Sequence, residues 1–158
     1  MAGSAVVTEK QMVLFELGGE TYGLDIAVVR EIITMQPITR VPKAPVFVEG
    51  VINLRGKVIP VINMSTRFGM AKTQVSKNTR IVVVDIKGAT IGIVVEVVTE
   101  VVRIQDSAVE SASDIVVAAD SQYLQGIAKL NGKMVILLDL EKALSKEEIM
   151  TSSKGAAN

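Results

Sequence analysis

The sequence predicts a mainly β protein built from two related small barrels of roughly five strands each. Apolar residues make up 49% of the 158-residue chain, and Val and Ile dominate them, while only three Phe and two Tyr are present. Such aliphatic, β-branched composition is typical of strands. Short apolar runs are separated by glycine-containing turn signals, as in small barrels and sandwiches. Finally, the second half of the chain repeats the first, which indicates a repeated fold.

An internal repeat relates the two halves of the chain. Residues 12–33 match residues 81–102 at an offset of 69, and residues 50–64 match residues 126–140 at an offset of 76. Because the second offset is larger, the second copy holds an insertion, which belongs in the polar stretch 105–122. The matched positions include Gly19 with Gly88, Gly23 with Gly92, Glu31 with Glu100, Leu54 with Leu130, Gly56 with Gly132 and Lys57 with Lys133.

Each copy is predicted to form a hairpin, a third segment and a second hairpin that ends at a helix cap. We therefore expect one lobe at about residues 10–69 and the other at about 79–140, joined by a short polar linker. A closing helix over 140–150 completes a single domain of residues 1–150. The tail 151–158 is expected to be disordered.

Helix signals follow the second hairpin of each copy. Asn63 and Asp139 are good N-cap residues, and Gly69 is suited to the position just after a helix. In the first copy, residues 27–33 combine helical spacing of apolar residues with β-branched composition. This pattern predicts a short helix that runs directly into a strand.

One hairpin tip carries an unexpected residue. The first copy has Arg55-Gly56 where the second has Asn131-Gly132, and Asn-Gly is the pair that a type I′ turn prefers. If both tips use this turn, Arg55 adopts a left-handed conformation that disfavours it. A residue placed against local preference on an exposed tip is often there for function. Since arginine suits carboxylates and interface centres, we interpret Arg55 as a partner contact.

Composition excludes several classes of function. The chain has no Cys and no His, so the commonest nucleophile, general base and metal ligands are missing, and a catalytic role becomes improbable. Its 17 basic and 17 acidic side chains cancel, which argues against binding to nucleic acid. A signal peptide and a bilayer-spanning run are not apparent, so we expect a cytoplasmic protein without membrane insertion, and no cofactor or metal.

Two other classes of function stay open on the residues alone. A carboxylate-dependent enzyme or small-ligand binder would use the acidic stretch 105–122, which holds Asp106, Glu110, Asp114 and Asp120. The spacing of these carboxylates matches no EF-hand loop, and polar loops are common for solubility alone. A generic SH3-like module for peptide or nucleic acid is the other alternative.

Residues 41–64, VPKAPVFVEGVINLRGKVIPVINM, closely resemble the signature of the CheW family of chemotaxis coupling proteins. The resemblance extends over about residues 10–145. It implies two intertwined SH3-like five-stranded barrels and no enzymatic activity. It also implies an adaptor between the cytoplasmic tips of chemoreceptors and the regulatory domain of the histidine kinase CheA, held in membrane-associated arrays through these partners.

The resemblance further implies two contact surfaces, matched position by position to this sequence. The receptor surface would lie in the groove between the lobes and comprise Val13, Ile26, Val29, Ile32, Asn53, Arg55, Val98 and Val101. The kinase surface would lie at the end of the first lobe and comprise Arg40, Val41, Pro42 and Lys43.

Overall fold

A computed structural model describes residues 9–111 and 123–144 of the chain. The strands are β1 (Glu9–Leu17), β2 (Glu20–Asp25), β3 (Val29–Thr34), β4 (Val48–Leu54), β5 (Lys57–Asn63), β6 (Arg80–Ile86), β7 (Ala89–Val95), β8 (Val97–Gln105), β9 (Val109–Ser111), β10 (Leu124–Leu130) and β11 (Lys133–Leu138). The helices within these ranges are short: 3₁₀ turns at Ile26–Val28 and Asp106–Ala108, α1 (Met64–Arg67) and α2 (Leu140–Ala143). The mainly β fold class is therefore confirmed.

The strands form two sheets. The five-stranded sheet has the order β3-β6-β7-β5-β4, and the six-stranded sheet has the order β8-β1-β2-β11-β10-β9. In the six-stranded sheet, β8 runs through the 3₁₀ turn at Asp106–Ala108 into β9, which is the strand at the opposite edge. This one bent segment thus supplies both edge strands. Because it counts as two strands, the sheet has six strands where five were predicted.

The two lobes do not follow the two repeats along the chain, and the predicted lobe bounds of 10–69 and 79–140 are wrong. The first hairpin of each copy, β1–β2 or β6–β7, belongs to the sheet built mainly by the other copy. Parallel pairing makes the connection: β5 pairs with β7, and β11 pairs with β2. Parallel neighbours need a long crossover, and the intervening chain of each copy provides it. The intertwined arrangement is the one that the family resemblance implies.

The pairing registers are equivalent in the two sheets. Val61 pairs with Gly92 in one parallel ladder, and the repeat equivalents Leu137 and Gly23 pair in the other. The antiparallel ladders β3–β6 and β8–β1 even share a β-bulge at the same place, after Val29 and its equivalent Val98. A bulge re-aims the residues that follow it, so the two edge strands β3 and β8 present their side chains in the same way.

Three apolar clusters hold the structure together. One lies within the five-stranded sheet and one within the six-stranded sheet. The third and largest, here called the central cluster, takes buried residues from both sheets and from both α-helices. It includes Phe15, Leu17, Tyr22, Leu24, Ile62, Met64, Val82, Val84, Ile86, Ile91, Ile93, Val95, Leu138, Leu140, Ala143 and Leu144. Since it removes the facing surfaces of both sheets from water, it is the main source of their mutual attachment.

Both predicted helix caps are confirmed. The Asn63 side chain accepts a hydrogen bond from the Thr66 amide at 3.1 Å, and the Asp139 side chain accepts one from the Lys142 amide at 3.2 Å. The predicted turn of helix running into a strand is also present, as the 3₁₀ turn at Ile26–Val28 followed by β3. The closing helix is described only as α2, which is shorter than the predicted 140–150; residues 145–150 and the tail 151–158 lie outside the described residues.

Gly50 and Gly126 occupy equivalent positions where another stretch of backbone comes close. A Cβ atom at residue 50 would collide with the Thr39 carbonyl oxygen, and one at residue 126 would lie 2.7 Å from the Glu110 carbonyl oxygen. In the first case, Thr39 and Val51 exchange two backbone hydrogen bonds of 2.8 Å, which fix this approach. Because these two glycines have no side chain, another backbone segment can pack directly against each sheet at this position.

Gly50→Ala is expected to destabilise the protein by about 3 kcal/mol, because the Cβ meets fixed backbone and φ is 148°. Gly56→Ala is the matched control: its φ is also positive, but nothing lies within 4 Å of a Cβ there, so about 1 kcal/mol is expected. Denaturant unfolding of both variants measures the difference. Equal losses of stability in the two variants would mean that the close backbone approach at Gly50 adds nothing to the destabilisation.

Candidate partner-binding surface

The unusual arginine at the β4–β5 tip is held in a type I′ turn. The φ values are 53° at Arg55 and 84° at Gly56, and they are 50° and 80° at Asn131 and Gly132. Both tips thus use the predicted turn, and Arg55 does adopt the left-handed conformation that arginine disfavours. The Asn53 side chain supports the turn, since its Oδ1 accepts a hydrogen bond of 2.8 Å from the Gly56 amide.

The Arg55 side chain forms a bidentate ion pair with Glu31 on the edge strand β3. Its Nη1 donates to Glu31 Oε2 at 2.7 Å, and its Nη2 donates to Glu31 Oε1 at 2.6 Å. Paired, charge-assisted hydrogen bonds of this kind are the strongest that side chains make. The interpretation of Arg55 as a partner contact alone is therefore incomplete, because the guanidinium first joins the hairpin tip to β3 within the chain.

The same ion pair sets the protonation of Glu31. Two hydrogen bonds from Arg55 stabilise the carboxylate, and the positive charges of Arg55 and Arg30 add to this, so the pKa of Glu31 is lowered from its ordinary value. The pKa of Arg55 is raised by the same hydrogen bonds. Glu31 is consequently ionised throughout the physiological range.

The bridge leaves the guanidinium accessible. The Arg55 side chain is 70% exposed and that of Glu31 is 29% exposed, so arginine lies over the carboxylate and faces solvent. A partner can still reach the outer face of Arg55, whose position is now fixed. Glu31 is the residue that sequence reasoning missed; its match with Glu100 was visible, but nothing along the chain linked it to a residue 24 positions away.

Several of the predicted receptor residues are apolar and exposed. Ile26 is 38% exposed in its 3₁₀ turn, Ile32 is 39% exposed on β3, and Val101 is 49% exposed on β8. Val29 and Val98 are half-buried and pack against the central cluster. Ile32 and Val101 are repeat equivalents, as are Val29 and Val98, so each edge strand carries one inner and one outer apolar side chain.

Val13 differs from the other predicted contacts. It is 1% exposed, in β1 between β2 and β8, where it pairs with Leu24 and Val101. At this exposure the Val13 side chain offers almost no accessible surface in the free protein. Its assignment to the receptor surface stays a prediction, as a buried side chain beside its cross-strand neighbour Val101.

The predicted kinase residues lie on one irregular segment between β3 and β4. Arg40, Pro42 and Lys43 are exposed, whereas Val41 is half-buried. Lys43 has a φ of 62°, within a turn in which the Ala44 amide donates to the Val41 carbonyl at 3.4 Å. The segment directly follows Thr39, which is bonded to β4, so the sheet edge anchors its start.

The acidic stretch 105–122 is described only up to residue 111. Asp106 and Glu110 are exposed there, and Asp114 and Asp120 lie outside the described residues. Across residues 9–111 and 123–144, His, Cys, Asp and Glu form no group of three that could hold a metal ion. In the same part of the chain, no helix is long and apolar enough to cross a membrane.

Residues 11–148 match the family described as the CheW-like domain. This chain belongs to the CheW family. Among curated relatives, it is 35% identical over 156 residues to the chemotaxis protein CheW of Klebsiella aerogenes, covering 94% of each chain. It is 30% identical over 143 residues to that of Treponema pallidum, covering 88% of this chain and 84% of the relative.

A solved structure agrees with this assignment. The scaffolding protein TtCheW from Thermoanaerobacter tengcongensis superposes with a TM-score of 0.81 at 40% sequence identity, covering 89% of this chain and 96% of that one. The two-sheet architecture described above is thus the CheW fold, and the resemblance inferred from residues 41–64 is confirmed.

The ion pair of this CheW-family chain makes a testable prediction about pH. Because the pKa of Glu31 is lower in the folded state, its contribution to stability is present above the ordinary glutamate pKa and is lost as pH falls through the lowered value. In Arg55→Ala, NMR titration should show the pKa of Glu31 moving back up toward its ordinary value. The stability difference between parent and variant should shrink at acid pH.

The parent protein, titrated under the same conditions, is the reference for this comparison. A Glu31 pKa that does not change on removal of the guanidinium would show that the bridge is not formed in solution.

Proposed function

We propose that this CheW-family protein is a non-enzymatic adaptor that couples the cytoplasmic tips of chemoreceptors to the histidine kinase CheA. The observation that carries the proposal is the edge strand β3, which presents the exposed Ile32 and, through Glu31, holds the accessible guanidinium of Arg55 in place. Exposed apolar residues and arginine are both enriched at protein interfaces. TtCheW, the relative of known structure, is a scaffolding protein, which supports the same role.

The receptor tip is proposed to contact the apolar positions of the two edge strands. These are Ile26, Val29, Ile32, Val98 and Val101, with Asn53 and Arg55 beside them. Desolvation of the exposed aliphatic side chains would supply the affinity, and the guanidinium would select a partner with carboxylate or carbonyl oxygens at its surface. Val29 and Val98 would act as the half-buried floor of this surface.

The regulatory domain of CheA is proposed to contact the separate segment at Arg40, Val41, Pro42 and Lys43. Two exposed cations and an exposed proline on an irregular segment suit a polar contact at the rim of an interface. Residues 35–39 connect β3 directly to this segment. The proposed receptor surface and the proposed kinase surface are therefore joined by one short stretch of chain.

The mechanism that follows is linkage rather than chemistry. An adaptor bound to receptor and kinase together transmits a signal only if the receptor's states differ in how they bias the bound kinase. We propose that the protein acts in the cytoplasm and reaches membrane arrays through these partners, with no cofactor, no nucleic acid and no insertion of its own into the bilayer.

A binding experiment with three components tests the function. A receptor cytoplasmic-tip fragment, the regulatory domain of CheA and plain duplex DNA are each titrated into the protein, and the first two are then added together. Binding of both proteins in one ternary complex, with no binding to DNA, is the expected result. Binding to DNA alone, or to neither protein, would contradict the proposal.

Ile32→Glu is expected to weaken binding of the receptor fragment at least tenfold while the protein stays folded. A charge at this position must be desolvated in the complex, whereas in the free protein it faces water. Val75→Glu is the matched control, because Val75 is also an exposed β-branched apolar residue but lies in the connection between α1 and β6, outside the proposed receptor surface. Calorimetric titration and thermal melts measure both variants.

The control should bind like the parent and melt like the parent. If Ile32→Glu unfolds the protein, Ile32 belongs to the core. If it stays folded and binds the receptor fragment like the parent, the proposed receptor surface is wrong.

A further inference from the structure

The internal repeat allows the bridge in the first half of the chain to be compared with its equivalent in the second. Glu31 on β3 pairs with Val83, and Glu100 on β8 pairs with Leu14, which are equivalent register positions. The two hairpin tips have the same turn, with nearly the same φ values. The second half thus repeats the backbone arrangement that supports the Arg55–Glu31 ion pair, but Asn131 stands where the first half has Arg55.

The carboxylate of Glu100 is consequently left without the arginine that its equivalent has. Glu31 accepts two hydrogen bonds from Arg55 and is partly covered by it, whereas Glu100 is exposed. Among the described residues, the Glu100 side chain has no hydrogen-bond or ion-pair partner, and Arg103 on the same strand pairs instead with Glu9 at 3.7 Å. An asparagine side chain carries no charge and is too short to replace a guanidinium.

Glu100 also has an exposed apolar neighbour. Val101 is 49% exposed and follows Glu100 on β8, which is the terminal strand of the six-stranded sheet. Consecutive residues of a strand point to opposite faces. A partner that meets both side chains must therefore lie along the open edge of β8, where backbone groups are also available.

We propose that Glu100 and Val101 form a docking point for a basic side chain, preferably arginine, that the receptor tip supplies from outside the chain. The partner's guanidinium would take the place on β8 that Arg55 occupies on β3, while Val101 is covered by an apolar group of the partner. The assignment rests on charge complementarity: Glu100 stands at the register position of Glu31, but the equivalent hairpin tip supplies no arginine to pair with its carboxylate. It deepens the proposed function, because it states what the receptor tip must carry at this edge.

Two variants test the docking point. Glu100→Gln removes the charge, and Asn131→Arg supplies an internal arginine that should occupy Glu100 as Arg55 occupies Glu31. Each is expected to weaken binding of a receptor cytoplasmic-tip fragment about tenfold. In Asn131→Arg, NMR should show a changed chemical shift of the Glu100 side-chain carboxylate and slowed exchange of the new guanidinium protons, which demonstrates that the internal bridge has formed. Asn131→Ala is the control: it should lower the denaturant midpoint through the turn but leave receptor affinity unchanged.

The double variant Glu100→Gln with Asn131→Arg should bind no more weakly than Glu100→Gln alone, since both changes act through one carboxylate. If the parent binds the receptor fragment and both single variants bind equally well, the docking point is wrong and the adaptor function stands. If the loss is seen with the CheA regulatory domain instead of the receptor fragment, the proposed occupant is wrong. If the parent binds no receptor fragment, the proposed function fails and this assignment with it.

Discussion

The exchange of hairpins between the two sheets is the constraint on which the rest of this structure depends. Each copy of the repeat places its first hairpin in the other copy's sheet, through the parallel pairs β5–β7 and β2–β11. The central cluster then covers the faces where the sheets meet. Because neither sheet is complete without strands from both copies, the edge strands β3 and β8 are held in one fixed frame.

Within this repeated frame, local sequence differences make the two edges chemically unlike. The equivalent positions 55 and 131 share a turn but carry arginine and asparagine, so a carboxylate is bridged on one edge and open on the other. The arginine is kept despite its disfavoured backbone conformation, as expected where a specific interaction outweighs local preference. A duplicated fold can in this way offer two related but chemically different edges without any change of backbone.

Features encoded locally could be predicted from the sequence. The hairpins, the Asn63 and Asp139 caps, the 3₁₀ turn before β3 and the type I′ turn at Arg55 each depend on a few neighbouring residues. The exchange of hairpins was implied only by the family resemblance, because periodicity reports which faces are apolar and not which strands pair. For the same reason the burial of Val13 was not predicted: its pattern suits a strand, but its strand neighbours and its 1% exposure appear only in the fold. The partner of Arg55 also required the fold.

Native-state hydrogen exchange tests the interlocked frame most directly. We predict that the amides at the centres of β2, β5, β7 and β11 exchange with the same free energy of opening, equal to that of global unfolding, because the parallel ladders cannot open one sheet at a time. Amides of the β4–β5 tip should open more readily. Exchange of the whole six-stranded sheet at a clearly lower free energy than the five-stranded sheet would contradict the account, since the two halves would then be independent units.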